Sequence, residues 1–157
     1  MAINRGKQFE ARFKQDWIRT IPDSSIDRIY DVVSGKKTIS NVSDFIGFKK
    51  PNIFYLECKS TNDNTFNFAK LTQYDKLAAK VGIPGVRAGA VLWFVNHDRV
   101  VYVPISTITK MKEDGLKSVN IRKLSGSGYK FYEIPSVKLR VFLESDYSCL
   151  LKTKEGE

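Results

Sequence analysis

Apolar residues recur along this chain at two different periods. Between Asn4 and Arg19, Phe9, Phe13, Trp17 and Ile18 return at helical spacing, while Arg5, Lys7, Arg12, Lys14 and Arg19 fall largely elsewhere. This predicts an amphipathic helix capped by Asn4 and ended before Pro22. Ile26 to Val33 predicts a first strand, and Ser34 to Ser43 a basic loop containing Gly35, Lys36, Lys37 and Asn41. Two apolar runs, Phe45 to Phe48 and Ile53 to Cys58, are joined by Lys49-Lys50-Pro51-Asn52 and predict a β-hairpin. Ser60 to Asn64 is a polar turn. Phe68 to Val81 carries Leu71, Tyr74, Leu77, Ala78 and Val81 on one side, predicting a second helix stopped by Gly82, Pro84 and Gly85. The continuous apolar run Ala88 to Val95 predicts a buried central strand. Asn96-His97-Asp98 then turns the chain into a strand over Arg99 to Val103. Pro104-Ile105-Ser106 opens a short helix ending near Gly115, and Tyr129 to Ile134 with Val137 to Leu143 predicts a hairpin around Pro135-Ser136. Lys152 to Glu157 reads as a frayed end.

The order helix, strand, hairpin, helix, hairpin predicts one α/β domain over 1–157, with a mixed central β-sheet flanked by helices. Of its 157 residues 42% are hydrophobic and 27% charged, as in ordinary globular proteins. The charge balance is less ordinary, because 26 basic residues against 17 acidic ones leave a formal charge of +9. That points to a polyanionic partner, with nucleic acid ahead of an acidic membrane. The two cysteines, Cys58 and Cys149, lack metal-knuckle spacing and are too few for a disulfide framework. No run approaches the ~20 apolar residues of a membrane span. A reducing intracellular compartment, the cytoplasm, is expected.

The hairpin carries the candidate chemistry. A loop symmetric about Lys50 and Pro51 pairs Phe48 with Ile53 and sets Asp44 opposite Glu57. Alternation along the strand puts Lys59 on the same face as Glu57, with Leu56 and Cys58 on the other. Like charges at cross-strand distance, about 5 Å at Cβ, are destabilising. A hard divalent cation relieves the conflict, since Mg²⁺ prefers carboxylate and carbonyl oxygens and keeps several waters. This suggests a metal-dependent phosphodiesterase site with Asp44 and Glu57 as ligands and Lys59 as the cation beside the nucleophile. Glu10 borders the apolar stripe of the first helix, and spacing alone makes it an exposed partner for Lys14. His97, the single histidine, reads as a turn residue.

An acid followed thirteen residues later by Glu-x-Lys, after a helix bearing Glu10, resembles the PD-(D/E)xK nuclease superfamily. Asn4-Arg5-Gly6-Lys7-Gln8-Phe9-Glu10, Ser43-Asp44-Phe45-x-Gly47, Glu57-Cys58-Lys59, Thr65-Phe66 before a Gln73-bearing helix, and Gly89 to Phe94 followed by Val101-Tyr102-Val103-Pro104 together resemble the RecU-type Holliday-junction resolvases, of cellular or phage origin. The likeness covers about the first 110 residues of a core taken as 1–124, and stops before Ser125; 125–157 has no assigned role. The resemblance implies a restriction-endonuclease-like core, with Asp44 and Glu57 as direct Mg²⁺ ligands, Mn²⁺ as a substitute, and the Cys58 carbonyl as a third donor. Lys59 would orient or help deprotonate the attacking water, Glu10 would complete the acidic cluster, and Gln73 would bond a phosphate or water. Ser43 would orient Asp44 or, with Arg5, Lys7, Lys36 and Lys37, contact DNA. For Gln73 and Ser43 a helix-surface amide and a turn hydroxyl stand as equal readings. The implied partners are four-way-junction DNA and a second copy in a homodimer. The family carries a junction-engaging stalk before the first acid, and Ser34 to Ser43 leaves room only for a short one. A duplex or restriction-like endonuclease and a non-catalytic basic DNA-binding module are the alternatives.

If basic residues dominate affinity, DNA binding followed by fluorescence anisotropy weakens at least ~100-fold between about 50 and 200 mM salt. A flat salt profile would remove the nucleic-acid argument.

Overall fold

The computed structural model of the chain describes residues 4–152. Asn4 opens helix α1 (Arg5–Thr20) by accepting the Lys7 N–H on its side-chain oxygen at 3.1 Å. After α1 the chain forms β1 (Ser25–Arg28), the short pair β2 (Val32–Ser34) and β3 (Lys37–Ile39), then β4 (Phe45–Lys49), β5 (Asn52–Thr61) and β6 (Thr65–Asn67). A 3-10 turn (Phe68–Lys70) leads to α2 (Tyr74–Ala78), β7 (Val86–Phe94), β8 (Arg99–Pro104), α3 (Ile105–Glu113), β9 (Ser118–Asn120) and α4 (Ile121–Leu124). The C-terminal part holds β10 (Tyr132–Ile134), β11 (Ser136–Lys138), β12 (Leu143–Ser145) and a 3-10 segment (Tyr147–Lys152).

The central sheet has the order β1-β4-β5-β7-β8-β10, with β5 and β7 parallel and every other pairing antiparallel. It is the mixed sheet expected, and the β4–β5 register is the expected one, Phe48 opposite Ile53 and Phe45 opposite Leu56. One face is covered by α1 and the C-terminal segment, joining Phe9, Phe13 and Trp17 to Phe45, Phe54, Leu56, Cys58 and Tyr147. Ring centroids of Phe13 lie 4.8 Å from Phe45 and 4.7 Å from Tyr147, a tilted and an edge-on contact of the kind aromatic pairs favour. The other face packs Phe66, Leu77, Ala90, Leu92 and Val101 under Ile105, Ile108 and Met111 of α3. Ile18, placed on the α1 stripe by spacing, is instead exposed.

Four expectations need correction. The strand over Ile26 to Val33 breaks after Arg28: the Ile29 N–H donates to the Asp44 carbonyl at 2.8 Å, and Asp31 accepts the Asn41 N–H at 2.8 Å. The Ile29 bond is the last toward the β4 strand, after which the chain leaves the sheet, and the expected loop over Ser34 to Ser43 is half occupied by the β2–β3 hairpin, whose Val33 is 71% exposed. The helix over Phe68 to Val81 contracts to α2. Asn67 caps the preceding turn through the Ala69 N–H, and Val81 is exposed, although Leu71 and Leu77 stay buried. The hairpin around Pro135-Ser136 does not form. Ile134 is buried where β10 joins β8, and the reversal occurs later, closed by the Leu139 N–H to the Phe142 carbonyl at 2.8 Å. The expected frayed end lies outside the described residues beyond Lys152, which itself ends the last 3-10 segment.

The buried acid of α1 that spacing overlooked, Asp16, ties the C-terminal segment down. Its carboxylate accepts the Ser145 N–H at 2.9 Å and pairs with Arg12 at 3.1 Å and Arg19 at 3.4 Å. Residues 143–152 thus complete the core over α1, a structural role for part of 125–157. Among the described residues no helix is long and apolar enough to cross a membrane.

Two glycines on the inner strands admit bulky rings. A Cβ on Gly47 would stand 2.8 Å from the Trp17 ring, and one on Gly89 only 2.3 Å from that of Tyr102. Since Tyr102 is itself fully buried, it has nowhere to move. Gly89→Ala therefore destabilises the protein by about 2 kcal/mol in urea unfolding, and an unchanged midpoint would show that the ring can yield.

Candidate active site

The site forms where β4 stops and β5 continues. Past Leu56, opposite Phe45, β5 keeps its β7 partner but has no β4 residue beside it. Two backbone donors there are met by two carboxylates: the Asp44 N–H donates to Glu57 Oε2 at 3.0 Å, and the Cys58 N–H donates to Asp44 Oδ2 at 3.0 Å. The two acids do face one another, as the hairpin register demands. They lie inside the sheet, since β4 and β5 are internal strands, and Glu57 is fully buried.

Cations complete the cluster. Lys59 Nζ lies 2.9 Å from Glu57 Oε1, an oxygen that is buried and accepts no well-formed hydrogen bond. Arg28, at the end of β1, donates from Nη1 to Asp44 Oδ1 at 3.1 Å and to the Asp44 and Ile29 carbonyls at 3.0 and 2.9 Å. Its Nη2 reaches Glu10 Oε2 at 2.9 Å. Glu10 thus joins the acidic cluster from the helical layer, by way of Arg28, and has no ion pair with Lys14. A groove of about 490 Å³ lined by Lys7, Glu10, Lys14, Arg28, Tyr30 and Phe45 adjoins this cluster.

Burial raises the Glu57 pKa to about 7, and the neighbouring Asp44 carboxylate adds to the rise; Lys59 and the Asp44 N–H oppose it. Glu10 is raised as well, by burial and then by Asp44. Burial pulls Lys59 down, but Glu57, Asp44 and Glu10 together more than offset this, so its ammonium is held above its ordinary value. Its cationic form is thus favoured by the three carboxylates around it.

Other predicted residues fall outside the cluster. Ser43 is buried and donates its hydroxyl to the Phe45 carbonyl at 2.8 Å, so it takes the turn-hydroxyl role and offers no surface to DNA. The Gln73 amide oxygen accepts from the Thr72 hydroxyl at 2.7 Å, and no hydrogen bond joins it to the carboxylates. Arg5 and Lys7 are exposed on the first turn of α1, and Lys36 and Lys37 are exposed on the β2–β3 hairpin. His97 bonds Asn64 at 2.6 Å, away from the acids. Arg28 was missed from the sequence; its signal was the β1–β4 register, which sets it opposite Phe45 and beside Asp44.

The donors suit a small hard cation. The Asp44 and Glu57 carboxylates converge, and Glu57 Oε1 is met only by the Lys59 ammonium. The N–H and C=O of one strand residue point to the same side, so the Cys58 carbonyl faces Asp44 as its N–H does. Two carboxylates and a carbonyl leave room for the waters that Mg²⁺ keeps. Among the described residues, no three His, Cys, Asp or Glu side chains are gathered into a ready cage.

A family model described as "RecU: Recombination protein U" matches residues 18–144. The match begins within α1, beyond Glu10, and continues past Ser125, where the likeness read from individual motifs stops. No curated protein matches the chain. Among solved structures, the chain is similar to Archaeoglobus fulgidus Hjc, titled a Holliday junction resolvase from an archaeal hyperthermophile. Identity is 13% and the TM-score 0.50, over 65% of this chain and 78% of that one. At that identity the likeness speaks for the fold, a mixed sheet flanked by helices.

A carboxyl with a raised pKa stabilises the fold fully below the ordinary carboxylate range, and that contribution is lost as pH rises through the raised value. Glu57 therefore makes the metal-free protein lose thermal stability as pH rises through about 7. Melting curves across that interval should show the decline in the wild type and a flatter profile in Glu57→Gln; equal slopes would assign the effect to other acids.

Proposed function

This chain belongs to the RecU family, recombination protein U, and on that premise we propose that it is a divalent-metal-dependent endodeoxyribonuclease that resolves four-way DNA junctions. The observation that carries the reading is the reciprocal lock of Asp44 and Glu57, which holds two carboxylates and an ammonium at the end of β4 in a protein of net charge +9. Nothing in an apolar core requires such a cluster, and each buried ion costs roughly several kcal/mol of desolvation.

Asp44, Glu57 and the Cys58 carbonyl would hold the metal, for which Mg²⁺ is the natural ion and Mn²⁺ a substitute, with Glu10 completing the acidic shell. A bound metal would neutralise a non-bridging phosphate oxygen and acidify water. Lys59, whose cationic form Glu57 favours, would hold positive charge where the phosphate becomes more negative in the transition state and would orient or help deprotonate the attacking water. Arg5, Lys7, Lys36 and Lys37 are exposed cations that would follow the DNA backbone. A homodimer would place two such sites on opposed strands of a junction. Gln73 remains a candidate for a phosphate or water contact only if α2 shifts toward the acids on binding.

The test compares cleavage of a synthetic four-way junction and a linear duplex of equal length with Mg²⁺. The junction is cut preferentially, Asp44→Asn abolishes cutting, and Lys59→Ala lowers the rate at least ~100-fold while junction affinity stays within about threefold. Equal loss of binding and cleavage in Lys59→Ala would make Lys59 a phosphate contact. Equal cutting of duplex would favour a restriction-like enzyme, and an inert wild type would leave a DNA-binding module.

A further inference from the structure

Three carboxylates and two cations meet at the end of β4. Two of the carboxylate oxygens are committed to backbone: Asp44 Oδ2 to the Cys58 N–H, and Glu57 Oε2 to the Asp44 N–H. The Asp44 oxygen that remains, Oδ1, is held by Arg28 Nη1, and the other nitrogen of the same guanidinium holds Glu10 Oε2. Arg28 is therefore interposed between two of the acids a metal would draw together.

The guanidinium is firmly seated. Besides the two carboxylates it binds the carbonyls of Asp44 and Ile29, and it lies 5.1 Å from the ring centroid of Tyr30 and 5.4 Å from that of Phe45. An arginine stacked on rings and forked between acids is among the better-ordered cations a protein can place. Its side chain is still 21% exposed and lines the basic groove, so it has somewhere to go.

We propose that Arg28 is a built-in competitor of the metal: it holds Asp44 and Glu10 in position in the metal-free protein and gives up Asp44 Oδ1 when a divalent cation binds. This rests on the metal-nuclease reading of the same site. Arg28 is then a positioning residue that sets metal affinity. Its displaced guanidinium, still anchored near Glu10, stands in the groove beside Lys7 and Lys14, where a substrate phosphate would pass. Cation binding and release of Arg28 are linked, so removing the arginine removes the competing state and tightens the ion.

The experiment is Mn²⁺ binding without DNA, read from the electron paramagnetic resonance signal of the free ion, for wild type, Arg28→Met, Arg28→Lys and Asp44→Asn. Arg28→Met binds Mn²⁺ roughly tenfold more tightly than wild type. Arg28→Lys, which keeps the charge but loses the planar fork, falls between them. The metal-free melting temperature of Arg28→Met drops, and Mn²⁺ raises it by more than it raises that of the wild type. Should Arg28→Met not fold, Arg28→Lys carries the comparison, and an affinity no tighter than wild type overturns the proposal. Weaker Mn²⁺ binding in either variant also overturns it, showing that Arg28 supports the site rather than competing for it. If wild type and variants bind no Mn²⁺ that Asp44→Asn abolishes, the metal reading itself fails.

Discussion

The end of β4 is the constraint on which the rest of this site depends. β5 outruns its antiparallel neighbour, leaving the Asp44 and Cys58 N–H groups without strand partners. Buried donors must be satisfied, and here each is met by the carboxylate of the other strand. That solution places two acids against each other in a dry position. Their repulsion brings in Lys59 on one side and Arg28 on the other. The charge cluster therefore follows from a strand that stops early.

The surrounding packing makes the cluster rigid. Phe13 and Trp17 clamp α1 on to Phe45 and Phe54, which sets Glu10 within reach of the Arg28 guanidinium. Asp16, one turn and a half further along the helix, instead receives the Ser145 N–H and holds the C-terminal segment over the same core. Two acids on one helix thus have opposite uses, decided by what lies across from each. Burial raises the Glu57 pKa, while the surrounding carboxylates favour the cationic form of Lys59.

Much of this is legible in the order of residues alone. The short Lys50-Pro51 loop between two apolar runs admits few registers, so the facing of Asp44 and Glu57, and the alternation that separates Cys58 from Lys59, come from local rules. Glu10 is ambiguous at that level, because helical spacing offers Lys14 as a partner and says nothing about a strand packed across the face. Ser43 and Gln73 are open for the same reason; the Phe45 carbonyl and the Thr72 hydroxyl resolve where each points. Pro135-Ser136 has the composition of a turn, yet the burial of Ile134 against β8 outweighs it and moves the reversal to Leu139–Phe142.

The sequence by itself determined what is periodic or adjacent: the amphipathic first helix, the hairpin and its register, the buried seventh strand, and the excess of positive charge. These depend on interactions a few residues apart, where spacing is geometry. Only the tertiary structure decided which groups from distant segments converge. Arg28 reaches Asp44 because β1 pairs with β4 across a break that carries its own hairpin, and it reaches Glu10 because α1 crosses the end of that pairing. Such long-range contacts are selected by burial summed over the whole core, which no local stretch of residues encodes.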